Sequence, residues 1–131
     1  MRLLKHLLLI DDDESIREMI PFIFDKSNYL IKTTADISAI ETLISEFKPD
    51  LIMLDIMLGV VDGREICRSL KGLPVLSQVP IILLSAAIIN EDDLNCGHDL
   101  LITKPFDITY LESMVDKLIV EREIGLPKSS S

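Results

Sequence analysis

Leu7-Leu8-Leu9-Ile10, Leu51-Ile52-Met53-Leu54 and Ile81-Ile82-Leu83-Leu84 are apolar at every position, and each run gives way at once to a polar residue: Asp11, Asp55 and Ser85. A strand with no polar face suits a parallel sheet covered on both sides. Leu100-Leu101-Ile102 is a shorter run of the same form, ending in Thr103-Lys104-Pro105. Tyr29–Thr33 is mixed in polarity and suits an edge strand.

Amphipathic segments separate these runs. Ile16, Met19, Ile20, Ile23 and Phe24 recur at helical spacing, as do Ile37, Ile40, Ile44 and Phe47. Ile66, Leu70 and Leu73 form a third stripe, and Leu111, Met114, Val115 and Leu118 a last one. Asp12 or Asp13 is placed to cap a helix beginning near Glu14, and Asp107 to cap the last helix. Pro21 falls inside the first stripe, where it removes a hydrogen bond and is expected to bend the helix. Ala86–His98 mixes Ile88, Ile89 and Leu94 with Asn90, Glu91, Asp92 and Asp93, and has room for a short helix at most. Right-handed crossovers and two-sided cover then give an α/β fold, a doubly wound open sheet.

The 131 residues suit one domain, expected over residues 1–124, with a polar tail over 125–131. No apolar run approaches the ~20 residues that span a bilayer, and the basic start does not read as a signal peptide. A cytoplasmic protein is the expectation, with Cys67 and Cys96 as reduced thiols. The net charge of -9 argues against direct contact with nucleic acid.

In open parallel sheets, sites form at the carboxyl ends of strands. Asp11, Asp12, Asp55, Ser85 and Lys104 all lie at or beside such ends. Carboxylates placed together repel one another, and a hard divalent cation resolves this. Mg²⁺ keeps several waters, so few protein ligands are needed: Asp12 and Asp55 directly, Asp11 through water, and a loop carbonyl such as that of Met57. There is no glycine-rich phosphate loop and no placed Cys-His pair. A carboxylate, a metal, a lysine and a hydroxyl suit phosphoryl transfer to Asp55.

These stretches, with Asp62-Gly63 and Thr103-Lys104-Pro105-Phe106, resemble the receiver domain of two-component response regulators from about Leu7 to about Val120. The resemblance implies a flavodoxin-like (βα)5 fold with strand order 2-1-3-4-5 and a phosphoacceptor rather than an enzyme. It implies that Asp55 takes a phosphoryl group from a histidine kinase or phosphotransfer protein. Asp11, Asp12, Asp55 and the Met57 carbonyl would hold Mg²⁺, Ser85 would be the switch hydroxyl and Lys104 the phosphoryl-binding lysine, with Lys104–Pro105 cis. The implied partners are a kinase and a downstream protein target, with no membrane contact, the receiver being a monomer or weak dimer.

Three positions depart from the family's pattern. Leu101 stands where an aromatic residue usually reports phosphorylation. Gly59-Val60 replaces the usual Pro-Gly after the acceptor. The stretch from Ser85 to Lys104 is short, so the fourth helix is expected to be shortened or irregular. These departures motivate an alternative: a receiver-fold binding module whose output does not use the Ser-aromatic switch. A flavin carrier on the same fold is disfavoured, since no Ser/Thr/Gly-rich loop follows the first strand.

Overall fold

The computed structural model describes residues 4–125. Its main sheet holds five parallel strands: β1 (Lys5–Ile10), β2 (Tyr29–Thr34), β3 (Leu51–Asp55), β4 (Ile81–Ser85) and β5 (Leu100–Thr103). They lie in the order β2-β1-β3-β4-β5, the flavodoxin-like order expected. Chain order reverses at β1, so β1 and β3 are neighbours and their carboxyl ends open one crevice. A two-stranded antiparallel hairpin, Met57–Leu58 with Val61–Asp62, follows β3 directly.

The apolar runs are the three central strands, and their side chains divide by the two-residue period of a strand. Leu8, Ile10, Ile52, Leu54, Ile81 and Leu83 face one core, where α2 (Ile40–Phe47) and α3 (Gly63–Lys71) pack. Leu7, Leu9, Leu51, Met53, Ile82 and Leu84 face the other, under α1 (Glu14–Ile23) and α4 (Ile108–Glu123). All twelve are fully buried. At about 1.5–3 kcal/mol for each such side chain, this burial fixes the register against a one-residue slip, which would turn every run onto the opposite face.

Carboxylates set the helix starts. Asp13, not Asp12, caps α1, accepting the Ser15 and Ile16 amides at 2.9 and 3.4 Å. Asp107 caps α4 through the Tyr110 amide at 3.0 Å. α1 runs through Pro21 and ends two residues later, leaving Phe24 as its C-cap. The third stripe is shorter than its spacing suggests: α3 stops at Lys71, and Leu73 precedes a 3-10 turn over Pro74–Leu76.

No α-helix forms between β4 and β5; the segment holds only a 3-10 turn, Glu91–Asp93. Leu94 is buried beneath it, while the Arg68 guanidinium bonds the Leu94 and Asn95 carbonyls at 3.3 and 3.4 Å. The isoleucine pair splits, Ile89 packing on the core and Ile88 standing fully in solvent.

At the amino-terminal edge of the sheet, Asp50 accepts the His6 amide at 2.8 Å and pairs with Arg122 of α4 at 3.1 Å. Asp99 accepts the Ile81 amide at 2.8 Å and pairs with Lys71 of α3 at 3.1 Å. No helix among the described residues is long and apolar enough to cross a membrane. The expected tail lies, apart from Gly125, outside the described residues.

Candidate functional site

β1 and β3 end side by side, with Ile10 opposite Leu54, so the next residues of each strand bring Asp11 and Asp55 to one crevice. Both carboxylates are buried, whereas Asp12 is exposed. Asp11, Asp12 and Asp55 each offer an oxygen lying within 4.8 Å of the other two. Among the described residues this is the one group of three or more such side chains with that spacing.

Backbone amides orient these acids. Asp11 Oδ1 accepts the Asp13 amide at 2.9 Å, and Asp55 Oδ1 accepts the Met57 amide at 3.1 Å. Asp12 Oδ2 accepts the Gly59 amide at 3.1 Å, tying the β1 loop to the hairpin after β3. Lys104, just past β5, reaches past the end of β4 to the acids of β3 and β1: its Nζ lies 2.9 Å from Asp11 Oδ2 and 3.3 Å from Asp55 Oδ2. The Lys104–Pro105 peptide is cis, as the resemblance implies.

Electrostatics follow from this packing. Burial, reinforced by the charge of Asp11, pushes the Asp55 carboxyl up to about 6, against the lowering effects of the Met57 amide and Lys104. For Lys104 burial opposes the charge, but Asp11 and Asp55 outweigh it and its ammonium titrates above the ordinary lysine value. Three carboxylates against one ammonium leave a surplus of negative charge. An all-oxygen donor set with that surplus fits a hard divalent cation such as Mg²⁺.

Ser85 lies at the end of β4, fully buried, and its hydroxyl is engaged by the backbone of Ala87. Its Oγ donates to the Ala87 carbonyl at 2.8 Å and accepts the Ala87 amide at 3.1 Å. Ser85 and Ala87 also line a cleft of about 300 Å³ with Met57, Gly59 and Val60. Leu101 packs against the core under α2 and α3.

Three residues have roles at the site that the sequence did not reveal. Arg17 of α1 donates from Nη1 to the Asp11 carbonyl at 3.0 Å, and the Gly59 amide holds Asp12. Gly63 was visible only as part of a motif; here its reason is steric. A Cβ on Gly63 would lie 2.2 Å from the Asp55 carbonyl oxygen, and the Gly63 amide donates to Ile56 O at 2.6 Å. Only glycine lets α3 start against the backbone of the acceptor strand.

The sequence model of the response regulator receiver domain matches residues 7–116. The chain belongs to that family. This receiver is 33% identical over 128 residues to the alkaline phosphatase synthesis transcriptional regulatory protein PhoP of Bacillus subtilis, covering 95% of this chain and 52% of that one. It thus spans about half the length of the curated relatives it matches. Its fold is that of the signal receiver domain of a signal transduction histidine kinase from Syntrophus aciditrophicus, with a TM-score of 0.79, 30% identity, and 97% and 96% of the two chains covered. The receiver domain of the sensor histidine kinase PA1611 from Pseudomonas aeruginosa, solved with a magnesium ion in its active site cleft, matches with a TM-score of 0.77 and 26% identity, covering 88% and 98%. This chain is therefore a receiver domain of two-component signalling. The relatives are transcriptional regulators, some named as DNA-binding, so the expectation of no direct nucleic-acid contact does not extend to whole proteins of their kind.

Proposed function

We propose that Asp55 accepts a phosphoryl group from a phosphohistidine on a histidine kinase or phosphotransfer protein, and that the added charge switches a protein-binding face. The observation that carries this is the meeting of Asp11, Asp12 and Asp55 within 4.8 Å under the Lys104 ammonium. An Asp55 oxygen attacks phosphorus in line as the P–N bond breaks, and the departing imidazole takes up a proton. Catalysis of this kind is positioning and charge neutralisation, which suits a site with no general base. Mg²⁺, when bound, offsets the charge of the carboxylates and the phosphoryl oxygens. Asp12 and Asp55 would hold it directly, Asp11 through water, with the Met57 carbonyl as a further ligand. Lys104 then pairs with a phosphoryl oxygen, exchanging a carboxylate partner for a phosphate one.

A second reading concerns the output. For Ser85 to reach the phosphoryl group, its Oγ must leave the Ala87 carbonyl. In place of an aromatic switch the chain has Leu101, already in the core, and the segment after β4 lacks a regular helix. A binding module with rewired output fits those features. In either reading the receiver itself meets proteins rather than nucleic acid or membrane, works in the cytoplasm, and is a monomer or weak dimer. The net charge of -9 supports the first of these. In a longer regulator resembling the relatives, DNA would be met by the part this chain does not match.

The test is an amide NMR spectrum with Mg²⁺, before and after beryllofluoride. Shifts reaching from Asp55 through residues 86–98 to α4 are expected of a working switch. Shifts confined to the neighbourhood of Asp12, Asp55, Ser85 and Lys104 select the rewired module, and no shift at all refutes the acceptor role.

A further inference from the structure

Cys67 and Cys96 stand 29 positions apart, and both are buried. Cys67, on α3, donates its thiol hydrogen to the Cys96 carbonyl at 3.3 Å. The two thiol side chains also interact with each other: burial, then the adjacent Cys96 side chain, push the Cys67 thiol up to about 12. Cys96 Sγ in turn lies 3.5 Å from His98 Nδ1, and His98 Nε2 lies 3.3 Å from Glu91 Oε1. With the proton on Nε2 donated to Glu91, Nδ1 is left as an acceptor for the Cys96 thiol hydrogen. Cys96 sits in a tight turn built from the two residue types that take up left-handed backbone most readily. Its neighbours Asn95 and Gly97 have φ of 38° and 80°, in the left-handed region, and Arg68 holds the turn by the Leu94 and Asn95 carbonyls.

The bland reading is two small hydrophobes filling a core. It accounts for the burial but not for the Cys96–His98–Glu91 chain. The group is not a three-donor metal site either, because among the described residues only the Asp11, Asp12 and Asp55 cluster has the required spacing.

We propose that Cys67 and Cys96 are a redox pair that forms a reversible intramolecular disulfide on exposure to hydrogen peroxide, with His98 as the proton acceptor for Cys96. Cys96 gives its proton to His98, and the thiolate sulfur attacks one peroxide oxygen. An S–O bond forms, the O–O bond breaks, and the departing hydroxide takes the proton from His98 and leaves as water. Cys96 is now a sulfenic acid, oxidised by two electrons, and the peroxide is reduced. The Cys67 sulfur then attacks the Cys96 sulfur; an S–S bond forms and the sulfenic oxygen leaves with the Cys67 proton as a second water. Two thiols and one peroxide give one disulfide and two waters, and an external dithiol reverses the change. Cys67, whose sulfur lies against the Cys96 backbone, is the resolving partner, and it passes its proton to the departing sulfenic oxygen as the S–S bond forms.

The disulfide would pin the segment between β4 and β5 to α3, adding an input that does not pass through Asp55. Because the inference stands apart from the acceptor role, Asp55→Asn should form the same disulfide.

The experiment treats the full reduced chain with equimolar hydrogen peroxide, then unfolds it in guanidinium with N-ethylmaleimide present to block free thiols, and measures the intact mass and linked peptides. A loss of two hydrogens, no maleimide adduct and a Cys67–Cys96 linked peptide are expected. Cys67→Ala should stop at a Cys96 sulfenic acid trapped by dimedone. His98→Ala should slow oxidation about a hundredfold, the low end of general-base effects. Two maleimide adducts after peroxide that fully oxidises glutathione, or a disulfide found only between chains, overturn the proposal. The wild-type mass decides this even if a variant fails to fold.

Discussion

At the amino-terminal edge of the sheet, Asp50 meets Arg122 and Asp99 meets Lys71; at the carboxyl edge, Asp11 and Asp55 share the ammonium of Lys104, and Asp12 adds a third carboxylate beside them. The strands and helices are the same, and buried acids occur at both edges. One edge is charge-balanced by side chains that belong to it, and its acids also hold strand amides. The other is overcharged by its own sequence and gains from an added cation. The contrast separates acids that hold a fold from acids that hold a ligand, and it does so by counting partners rather than by burial.

That contrast can be broken most directly at Asp55. Asp55→Asn should abolish the 80-dalton gain that acetyl phosphate and Mg²⁺ produce in the wild type, read by intact mass, while thermal stability without Mg²⁺ holds or rises. A variant still phosphorylated to the wild-type extent would move the acceptor elsewhere.

The opposite sign is expected across the sheet. Asp99→Ala leaves Lys71 without that carboxylate and the Ile81 amide without its acceptor, and should cost about 3 kcal/mol in urea unfolding. A loss below about 1 kcal/mol, the scale of surface pairs, would mean the balanced edge is not structural. Gly63→Ala tests the join between α3 and the acceptor strand, and the overpacking should cost about 2 kcal/mol. A neutral result would show that the hairpin yields.

The pH dependence sharpens the same comparison. Asp55 is raised from an ordinary value of 3.8 to about 6, so the folded state binds its proton more readily than the unfolded chain. Its contribution therefore favours folding below about pH 4 and is lost as pH rises through 6. Without Mg²⁺, Asp55→Asn should flatten the stability profile between those limits, and saturating Mg²⁺ should flatten it in the wild type. A wild-type slope unchanged by either would refute the assignment. The smallest effect belongs to a purely local acid: Asp107→Ala removes the α4 cap and should cost about 1 kcal/mol without altering phosphorylation.

Much of this was legible in the chain itself. Runs such as Leu51–Leu54 admit one burial pattern, and the acid or lysine after each run is carried to the crevice by the strand it ends. Legibility failed where the outcome depends on which of two partners a group finds. Asp12 and Asp13 looked equally able to cap α1; the structure gives the cap to Asp13 and sends Asp12 to Gly59. The Ser85 hydroxyl looked free to face the site, but a backbone carbonyl two residues on satisfies it. The Cys67–Cys96 contact needs α3 and the β4–β5 segment to be packed first, so nothing in a 29-residue spacing announces it.

The Arg122–Asp50 pair sets a practical limit on dissecting this protein. The family match closes at residue 116, yet the guanidinium that neutralises the acid beside β3 comes from further along α4. Truncation at the edge of the match would strip Asp50 of that cation at the root of the very strand that ends in Asp55. The contacts that hold the acceptor strand in place thus reach past the last residue of the family match.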